Sequence, residues 1–296
     1  MTMEAAAEFE AHRPRLFALA YRMLGAASEA EDIVQDTYLR WSTADRSAVR
    51  TPAAWLTKVM TNLCINQLTS ARARRELYAG PWLPEPVLTH TATGPLGPLE
   101  TAEQRESVSF ALLTLMERLT PAERAVFVLR EAFGHSHREV AEAVGIEEAY
   151  SRQLHRRARA QLGRPRRRLD VDDGQRKKIV ERFFAATVEG DVAGLEEMLA
   201  DDVAAWADGG GQVSAARRPI TGREKVLRYL LGLGNRPETA HVRAEFAEVN
   251  GEPAALVLAG QELIAILVPE IREGRVGAVR TVINPGKLAF AARQLA

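Results

Sequence analysis

A segment rich in proline and glycine divides this sequence and most constrains how it can fold. Residues 79–99 contain five prolines and three glycines. Because proline removes a backbone donor and glycine favours turns, no helix is expected to run through this stretch. A second break occurs at 163–165, and 296 residues exceed what one ordinary core holds. We therefore expect blocks at 1–78, 100–168 and 174–296, with 79–99 as a linker.

The charge of the chain is unevenly placed, although 39 basic and 39 acidic side chains sum to zero. Residues 149–168 include eight arginines and no acid, whereas residues 170–296 hold 16 basic and 19 acidic groups. A neutral total ordinarily argues against a nucleic-acid-binding protein. The arginine run keeps that class open, with a solvated helix face as the simpler interpretation.

Cysteine use and hydropathy exclude several other classes. The single cysteine, Cys64, cannot form a disulfide within the chain and fits a reducing compartment. No apolar run approaches the roughly 20 residues that span a bilayer, and the N-terminus lacks a signal-peptide pattern. The six histidines show no metal-ligand spacing. We expect a soluble, cytoplasmic protein without membrane contact, metal or cofactor.

The first block is predicted to be helical. Apolar residues recur at helical spacing over 16–24, and Gly25 ends the pattern. Ser28 and Glu31 predict a capping box at the start of a second helix. A third helix is predicted over 52–75, where aromatic, amide and arginine groups form the mixture that holds unpaired bases. Such a face is also common on a simply solvated helix.

The middle block contains the signature of a helix-turn-helix. One helix is predicted at 101–118, and capping boxes at Thr120 and Ser136 predict two more. A glycine turn at 144–146 separates the last of these from a helix over 147–162. Two helices joined in this way are typical of a helix-turn-helix, although an ordinary helical hairpin has the same outline.

The last helix of this block carries side chains that can read DNA. Arginine can bridge two acceptors of guanine, and glutamine can pair with adenine. The expected DNA contacts, which the resemblance given below assigns to the −35 element, are Tyr150, Ser151, Arg152, Gln153, His155, Arg156 and Arg159.

The third block is predicted to be an α+β domain. Helical patterns come first, and strands are then predicted at 241–249, 254–259, 262–268 and 275–283. The Asn250-Gly251 pair is typical of a hairpin turn. Helices followed by hairpin-linked strands indicate an antiparallel sheet covered by helices.

An enzyme active site in this block would need acid and base groups that converge on a pocket. The candidates are Asp208, His241 and Glu262, whose spacing implies no shared geometry. Asp208 is more simply a turn residue that binds the glycine-rich backbone after it, and His241 is more simply structural. We therefore expect no catalytic residues.

The two helical blocks resemble bacterial sigma factors. Residues 28–41, SEAEDIVQDTYLRW, resemble conserved region 2.2, which docks on the β′ clamp of RNA polymerase. Residues 52–76 resemble regions 2.3 and 2.4, which open the −10 element, and residues 119–162 resemble region 4, which reads the −35 element. A region 2 and a region 4 joined by a short linker resemble the extracytoplasmic-function type. The implied partners are core RNA polymerase, through its β′ clamp and β flap, and promoter DNA.

This resemblance also implies roles for individual residues of the first block. The implied polymerase contacts are Asp32, Gln35, Asp36, Leu39, Arg40 and Trp41. The implied −10 DNA contacts are Trp55, Lys58, Asn62, Asn66, Arg72, Arg74 and Arg75.

The third block resembles a SnoaL-like domain of the nuclear-transport-factor type, found at the C-terminus of one group of these factors. The implied fold is multidomain, with two all-α sigma domains followed by this α+β domain. It implies regulation in cis without a separate anti-sigma factor. The implied regulatory residues are Trp82, Pro84, Glu85, Pro86, Asp208, Gly209, Gly210, Gly211, Asn284, Pro285 and Lys287. The chain departs from the family pattern at Gln212, usually lysine, and at Gly286, usually aspartate.

Two alternatives remain open for the whole chain. A helix-turn-helix repressor with a ligand-sensing last domain would leave the acidic helix at 28–41 without a role. A small-molecule isomerase or hydrolase fused to a DNA-binding module would need a convergent acid and base in the third block. An unidentified small-molecule ligand of the third block is also open.

Overall fold

The chain divides into two compact units that are interleaved in sequence. The computed structural model describes residues 3–89, 94–96, 99, 101–163, 172–234 and 241–296. The first unit comprises Met1–Leu77 and Thr91–Pro165, and the second comprises Tyr78–His90 and Arg166–Ala296. Much of the expected linker therefore belongs to the second unit, although in sequence it lies between the two parts of the first.

Three long helices begin the first unit. They are α1 (Met3–Leu24), α2 (Ala27–Thr43) and α3 (Pro52–Glu76), and each packs against the other two. Trp41 and Met60 are at most 1% exposed in the core between them. The predicted helical first block is present.

The capping box expected at Ser28 is wrong. Helix α2 begins at Ala27, so Ser28 lies inside its first turn, and the N-cap residue Ala26 makes no side-chain hydrogen bond. The chain turns at Gly25, which has a φ of 67°, and this places at the N-cap an alanine whose side chain cannot accept a hydrogen bond.

In the described residues of the first unit, five shorter α-helices follow: α4 (Ala102–Glu106), α5 (Phe110–Leu115), α6 (Pro121–Glu131), α7 (His137–Val144) and α8 (Glu148–Leu162). The single helix expected at 101–118 is two helices. The side-chain oxygens of Thr101 and Ser109 each cap a separate helix start. The capping boxes predicted at Thr120 and Ser136 are confirmed.

Helices α7 and α8 form the predicted helix-turn-helix. Gly145 ends α7 with a φ of 78°, a left-handed conformation that favours glycine. Leu154 and Ala158 on α8 are buried, and α8 packs against α6 and α7. The opposite side of α8 is thereby left for polar groups.

Among its described residues, the second unit combines four α-helices with a six-stranded sheet. Its helices are α9 (Asp173–Glu189), α10 (Val192–Met198), α11 (Arg223–Gly234) and α12 (Pro285–Leu295). Its strands are β1 (Leu199–Asp208), β2 (Ile220–Thr221), β3 (Val242–Val249), β4 (Glu252–Ala259), β5 (Glu262–Arg272) and β6 (Arg275–Val282).

The sheet is mixed rather than wholly antiparallel. The strand order is β2-β1-β6-β5-β4-β3, and β1 pairs with β6 in parallel. The sequence did not predict β1, because the alanines around Trp206 have little intrinsic strand preference. The predicted turn at Asn250 is confirmed, since it and the following glycine both have positive φ.

Helices α9, α10 and α11 pack on one face of the sheet. Phe183, Leu195 and Val226 contribute from these helices, and Val203 and Val279 contribute from β1 and β6. Helix α12 packs against β5. In the described part of the chain, no helix is long and apolar enough to cross a membrane. Nor do three or more His, Cys, Asp or Glu residues form a possible metal site among the described positions.

Candidate functional sites

The exposed side of α2 carries most of the residues expected to bind polymerase. Because their spacing places them along one side of the helix, they form a continuous stripe. The stripe consists of Asp32, Gln35, Asp36, Leu39 and Arg40, all exposed. Trp41 is a correction, since it is 1% exposed and its ring lies 5.3 Å from that of Trp55. It supports the helix from the core and is not available to a partner.

The α3 face expected to bind −10 DNA is partly covered within the first unit. Asn62 Nδ2 donates to Lys58 O at 2.8 Å and to Ala143 O, at the end of α7, at 3.2 Å. Lys58 and Asn66 are exposed, whereas Trp55 is half-buried. Outside the described residues lie the side chains of Arg72, Arg74 and Arg75.

A cavity of about 490 Å³ lies where α1 and α3 face α7. From α1 and α3 it is lined by His12, Arg15 and Lys58, and from α7 it is lined by Glu139 and Glu142. Opposite charges across such an interface favour association. The first unit therefore has a closed arrangement in which α7 occupies space beside the expected DNA-binding face.

A second contact joins α1 to the segment after α6. Arg15 Nη2 lies 3.3 Å from His135 Nε2, and both Arg15 and Arg22 lie over the Phe133 ring. Arg22 Nε also donates to Ser107 Oγ at 2.9 Å. Burial, and then the charge of Arg15, lower the pKa of His135. The neutral histidine is therefore the form that suits this contact.

The exposed side of α8 carries most of the expected −35 contacts. These are Tyr150, Arg152, Arg156 and Arg159, which are exposed, and Gln153, which is half-buried. Arg152 Nη1 and Nη2 both donate to Glu148 Oε1 at 2.6 Å. Because this ion pair is solvent-exposed, it is worth at most about 1 kcal/mol and can be exchanged for a base.

Two other expected −35 contacts are used inside the domain. Ser151 is fully buried, and its Oγ lies 3.0 Å from His137 Nδ1, so the expectation that it contacts DNA is wrong. His155 Nε2 lies 2.6 Å from Glu131 Oε1 on α6, and its ring is 5.5 Å from that of His137. Burial, and then the charges of Arg130 and His155, lower the pKa of His137. These contacts fix α8 against α6 and α7.

In the second unit, Asp208 organises the expected regulatory residues. It lies at the end of β1 and is fully buried. Its Oδ2 accepts from the Leu83 amide and from Lys287 Nζ, both at 2.7 Å. Its Oδ1 accepts from the Tyr78 hydroxyl at 2.5 Å and from the Gly210 amide at 3.1 Å. A buried carboxylate with this many donors is a fixed structural centre.

Lys287, on α12, completes this centre. Its ammonium donates to Leu83 O and lies 4.3 Å from the Trp82 ring centre and 4.8 Å from that of Tyr78. An ammonium over aromatic faces gains electrostatic energy when desolvated. Burial, and then the hydrogen bond to Asp208, raise the pKa of Tyr78. The tyrosine therefore stays a neutral donor at physiological pH.

The glycine run after Asp208 permits this close packing. A Cβ on Gly210 would lie 2.1 Å from Asn284 Nδ2, and one on Gly209 would lie 2.3 Å from Val213 O. Asn284 Nδ2 instead donates to the Tyr78 hydroxyl at 2.9 Å. The glycines are therefore a close-approach turn, and Asp208 binds the following backbone as expected for a turn residue.

The remaining motif residues divide between core and surface. Pro84, Glu85 and Pro86 are buried, whereas Pro285 is exposed at the start of α12. Both departures from the family pattern, Gln212 and Gly286, are exposed and lie outside the buried centre. They leave its hydrogen bonds intact.

Polar groups that the sequence did not predict bind the linker at residues 87–89. The Val87 amide donates to Asn250 Oδ1 at 3.0 Å, and Val87 O accepts from the Asn250 amide at 2.9 Å. The side-chain amide of Gln294 bonds both the N–H and the C=O of Leu88, at 2.8 and 3.2 Å. The Thr89 amide donates to a β3 carbonyl at 2.9 Å. The sequence predicted a turn at Asn250 but not its contact with the linker. No sequence pattern around Gln294 indicated that it binds the linker.

We call residues 78–89 the linker segment. Its binding site, the linker seat, consists of Asp208, Glu248, Asn250, Asn284, Lys287 and Gln294.

The three candidate catalytic residues do not converge. Asp208 is committed to the linker seat, and His241 and Glu262 are exposed at strand ends. Asp208 pairs with Val282 on β6 and so lies two strands away from β5, where Glu262 pairs with Ala259 on β4. No acid and base pair forms from these residues.

Three family models match successive parts of the chain. Residues 9–74 match Sigma-70 region 2, residues 109–162 match Sigma-70 region 4, and residues 180–276 match a SnoaL-like domain. The order agrees with the helical bundle, the helix-turn-helix and the α+β unit described above.

Full-length relatives share this order. The ECF RNA polymerase sigma factor SigJ of Mycobacterium tuberculosis is 39% identical over 95% of this chain and 92% of its own length. The probable ECF sigma factor SigI of the same species is 30% identical over 95% of this chain and 94% of its own. The crystal structure of M. tuberculosis SigJ superposes with a TM-score of 0.76 at 35% identity, covering 96% of this chain and 98% of that one. The chain therefore belongs to the extracytoplasmic-function sigma factors of RNA polymerase, with a SnoaL-like domain following sigma regions 2 and 4.

Proposed function

We propose that this sigma factor is regulated in cis by its SnoaL-like domain, which holds the linker segment between regions 2 and 4. The observation that supports this is the Asp208–Lys287 pair, whose two charges bind the N–H and the C=O of Leu83. In this proposal the domain replaces a separate anti-sigma factor and has no catalytic activity. The protein then acts in the cytoplasm, where polymerase and promoter DNA are present.

We also assign the exposed residues of regions 2 and 4 to contacts with core polymerase and promoter DNA. The α2 stripe contacts the polymerase β′ clamp, and region 4 lies near the β flap. The α3 face, including the arginines after residue 70, holds the −10 strand. On α8, Arg152, Arg156 and Arg159 supply the base and phosphate contacts at −35.

Chain length supports an inhibitory role for the seated linker. The positions after which the −10 and −35 elements are named differ by 25 base pairs, which corresponds to about 85 Å at about 3.4 Å per base pair. Residues 78–100 can extend to roughly 80 Å, but residues 90–100 alone reach only about 40 Å. Binding of the linker segment fixes its path and leaves only residues 90–100 free to change direction. This loss of freedom restricts how far regions 2 and 4 can move away from the closed arrangement in which α7 lies beside α3.

In vitro transcription with core polymerase tests this function. We would compare the full chain, a chain truncated near residue 169, and a Lys287→Met variant on promoters selected by the factor. Lys225→Met is the matched control, because Lys225 is an exposed lysine of the same unit. We expect Lys287→Met to raise the yield of transcript and Lys225→Met to leave it unchanged. Equal yields from all forms would remove the regulatory proposal, and no transcript from any form would remove the assignment of activity.

A further inference from the structure

The linker seat binds the peptide backbone of the linker segment at several residues, in addition to its contacts with the side chains of Tyr78, Trp82 and Thr89. Three seat groups each satisfy both the N–H and the C=O of one linker residue: the Asp208–Lys287 pair at Leu83, Asn250 at Val87 and Gln294 at Leu88. Binding both main-chain groups of alternate or successive residues is a mode by which folded domains recognise extended peptides.

The linker segment has the chemistry of such a peptide ligand. Leu83, Val87 and Leu88 are at most 2% exposed, so their side chains occupy apolar sites between the backbone contacts. Pro84 and Pro86 have no N–H to satisfy and restrict the free segment to extended conformations. This restriction lowers the entropy lost on binding.

The linker seat has the same intrinsic affinity for its own linker segment and for the identical segment of another chain. The segment is joined to the seat's domain through other parts of the chain, so its advantage is effective concentration, in the millimolar range for short flexible connections. That advantage ends when the segment leaves the seat.

We propose that the seat is a peptide-binding site that accepts the linker segment of a second copy of this chain once its own segment has been released. The ligand is an extended peptide of the pattern Trp-Leu-Pro-acid-Pro-Val-Leu-Thr, as at 82–89. This inference rests on the proposed regulatory function, since release is what empties the seat. Release then produces an exchanged pair of chains that delays return to the closed state.

Two complementary full-length variants test the exchange. In the first, Leu83→Asp places a carboxylate beside Asp208 and disables the segment while leaving the seat. In the second, Asn250→Gly with Gln294→Ala removes two seat side chains while leaving the segment, and glycine keeps the positive φ of 54° at position 250. We expect each variant alone to be monomeric and an equimolar mixture to form a heterodimer in analytical ultracentrifugation.

A labelled synthetic peptide of residues 78–90 provides a second measurement. We expect the Leu83→Asp chain to bind it at least tenfold more tightly than the unaltered chain, and a peptide carrying the same Leu→Asp change not to bind. A Pro84→Gly, Pro86→Gly chain offers a gentler release should Leu83→Asp unfold the unit. Absence of both a heterodimer and peptide binding by folded release variants would overturn the inference. Neither assay contains polymerase, so failure of regulated transcription with intact peptide binding would affect the proposed function alone.

Discussion

At the scale of single residues, the fold of the second unit depends most clearly on the buried ion pair between Asp208 and Lys287. Both side chains are buried, and the carboxylate accepts from Tyr78, Leu83, Gly210 and Lys287. A buried charge is tolerated only when its partners repay the lost hydration. Removing one member leaves the other uncompensated.

The first prediction concerns Asp208→Asn. Because Lys287 would remain buried without its counter-charge, we expect the free energy of unfolding of the second unit to fall by about 3–5 kcal/mol. Hydrogen exchange of the β1 and β6 amides measures this change. Asp202→Asn alters an exposed aspartate of the same strand and should have little effect. Equal protection in both variants would contradict a structural role for the pair.

The same residues show which parts of the linker seat can be predicted from the sequence. The motifs identified Asp208, Asn284 and Lys287, and the structure brings all three together with the linker tryptophan. Tyr78, Asn250 and Gln294 were missed because their roles depend on contacts with residues more than 100 positions away. Ser151 and Trp41 were misplaced because a helical stripe does not reveal which neighbouring helix covers it.

At the scale of elements, helix α8 is held by its neighbours so that one side stays available for DNA. The contacts of Ser151 and His155 with α7 and α6 set its orientation. Arg152 lies on the opposite, exposed side with a weakly held acidic partner, Glu148. Different residues of one helix therefore set its orientation and carry the proposed base contacts.

The second prediction follows from this division. Arg152→Ala should weaken binding to the preferred −35 sequence by about 1–3 kcal/mol and lower the preference over scrambled DNA. Arg157→Ala, an exposed arginine of α8 outside the expected reading set, should leave the preference unchanged. Fluorescence anisotropy with both DNAs measures the ratio. An unchanged preference in Arg152→Ala would show that Arg152 does not read a base.

The paired strands β5 and β6 contain a pH-sensitive ion cluster. Glu270 accepts from Arg272 Nε at 2.6 Å and from Arg280 Nη1 at 2.8 Å, and Arg280 lies over the Trp206 ring. Burial alone would raise the pKa of Glu270, but Arg280 and Arg272 together lower it from 4.5 to about 2. The ionised carboxylate is thus bound more strongly in the folded sheet than in the unfolded chain.

The third prediction is the pH dependence that this cluster produces. Because the folded pKa is depressed, the stabilisation is complete above the unfolded value of 4.5 and is lost as the pH falls toward 2. The full loss amounts to about 3 kcal/mol. Glu270→Gln should flatten the acid dependence of hydrogen exchange in β5 and β6, whereas Glu262→Gln, at an exposed site on β5, should not. Identical acid profiles would refute the ion-cluster account.

Elements differ in how far the sequence predicts them. Helices beginning at Thr120 and Ser136 were predicted because their capping boxes are local. Strand β1 was not, since its alanines form a strand through parallel pairing with β6, which lies about 75 residues away. The hairpin turn at Asn250-Gly251 was predicted because the preference of Asn-Gly for positive φ needs no distant partner.

At the scale of the whole molecule, the interleaving of the two units is the feature that links the structure to the proposed regulation. The linker segment follows region 2 and precedes region 4, yet it folds with the SnoaL-like domain. Composition predicted a linker at 79–99 but not its partner, because proline content describes the backbone and not what covers it. The zero net charge of the chain was equally uninformative, since it averages an arginine-rich α8 and an acidic last unit.

The most direct test of the central claim is hydrogen exchange of the linker segment during initiation. The amides of Leu83, Val87, Leu88 and Thr89 are hydrogen-bonded in the second unit and should exchange slowly in the free chain. In a transcribing complex with core polymerase and promoter DNA, we predict at least tenfold faster exchange at these amides. The β4–β5 amides serve as the internal control and should not change. A segment equally protected in the free chain and in the transcribing complex would contradict the account.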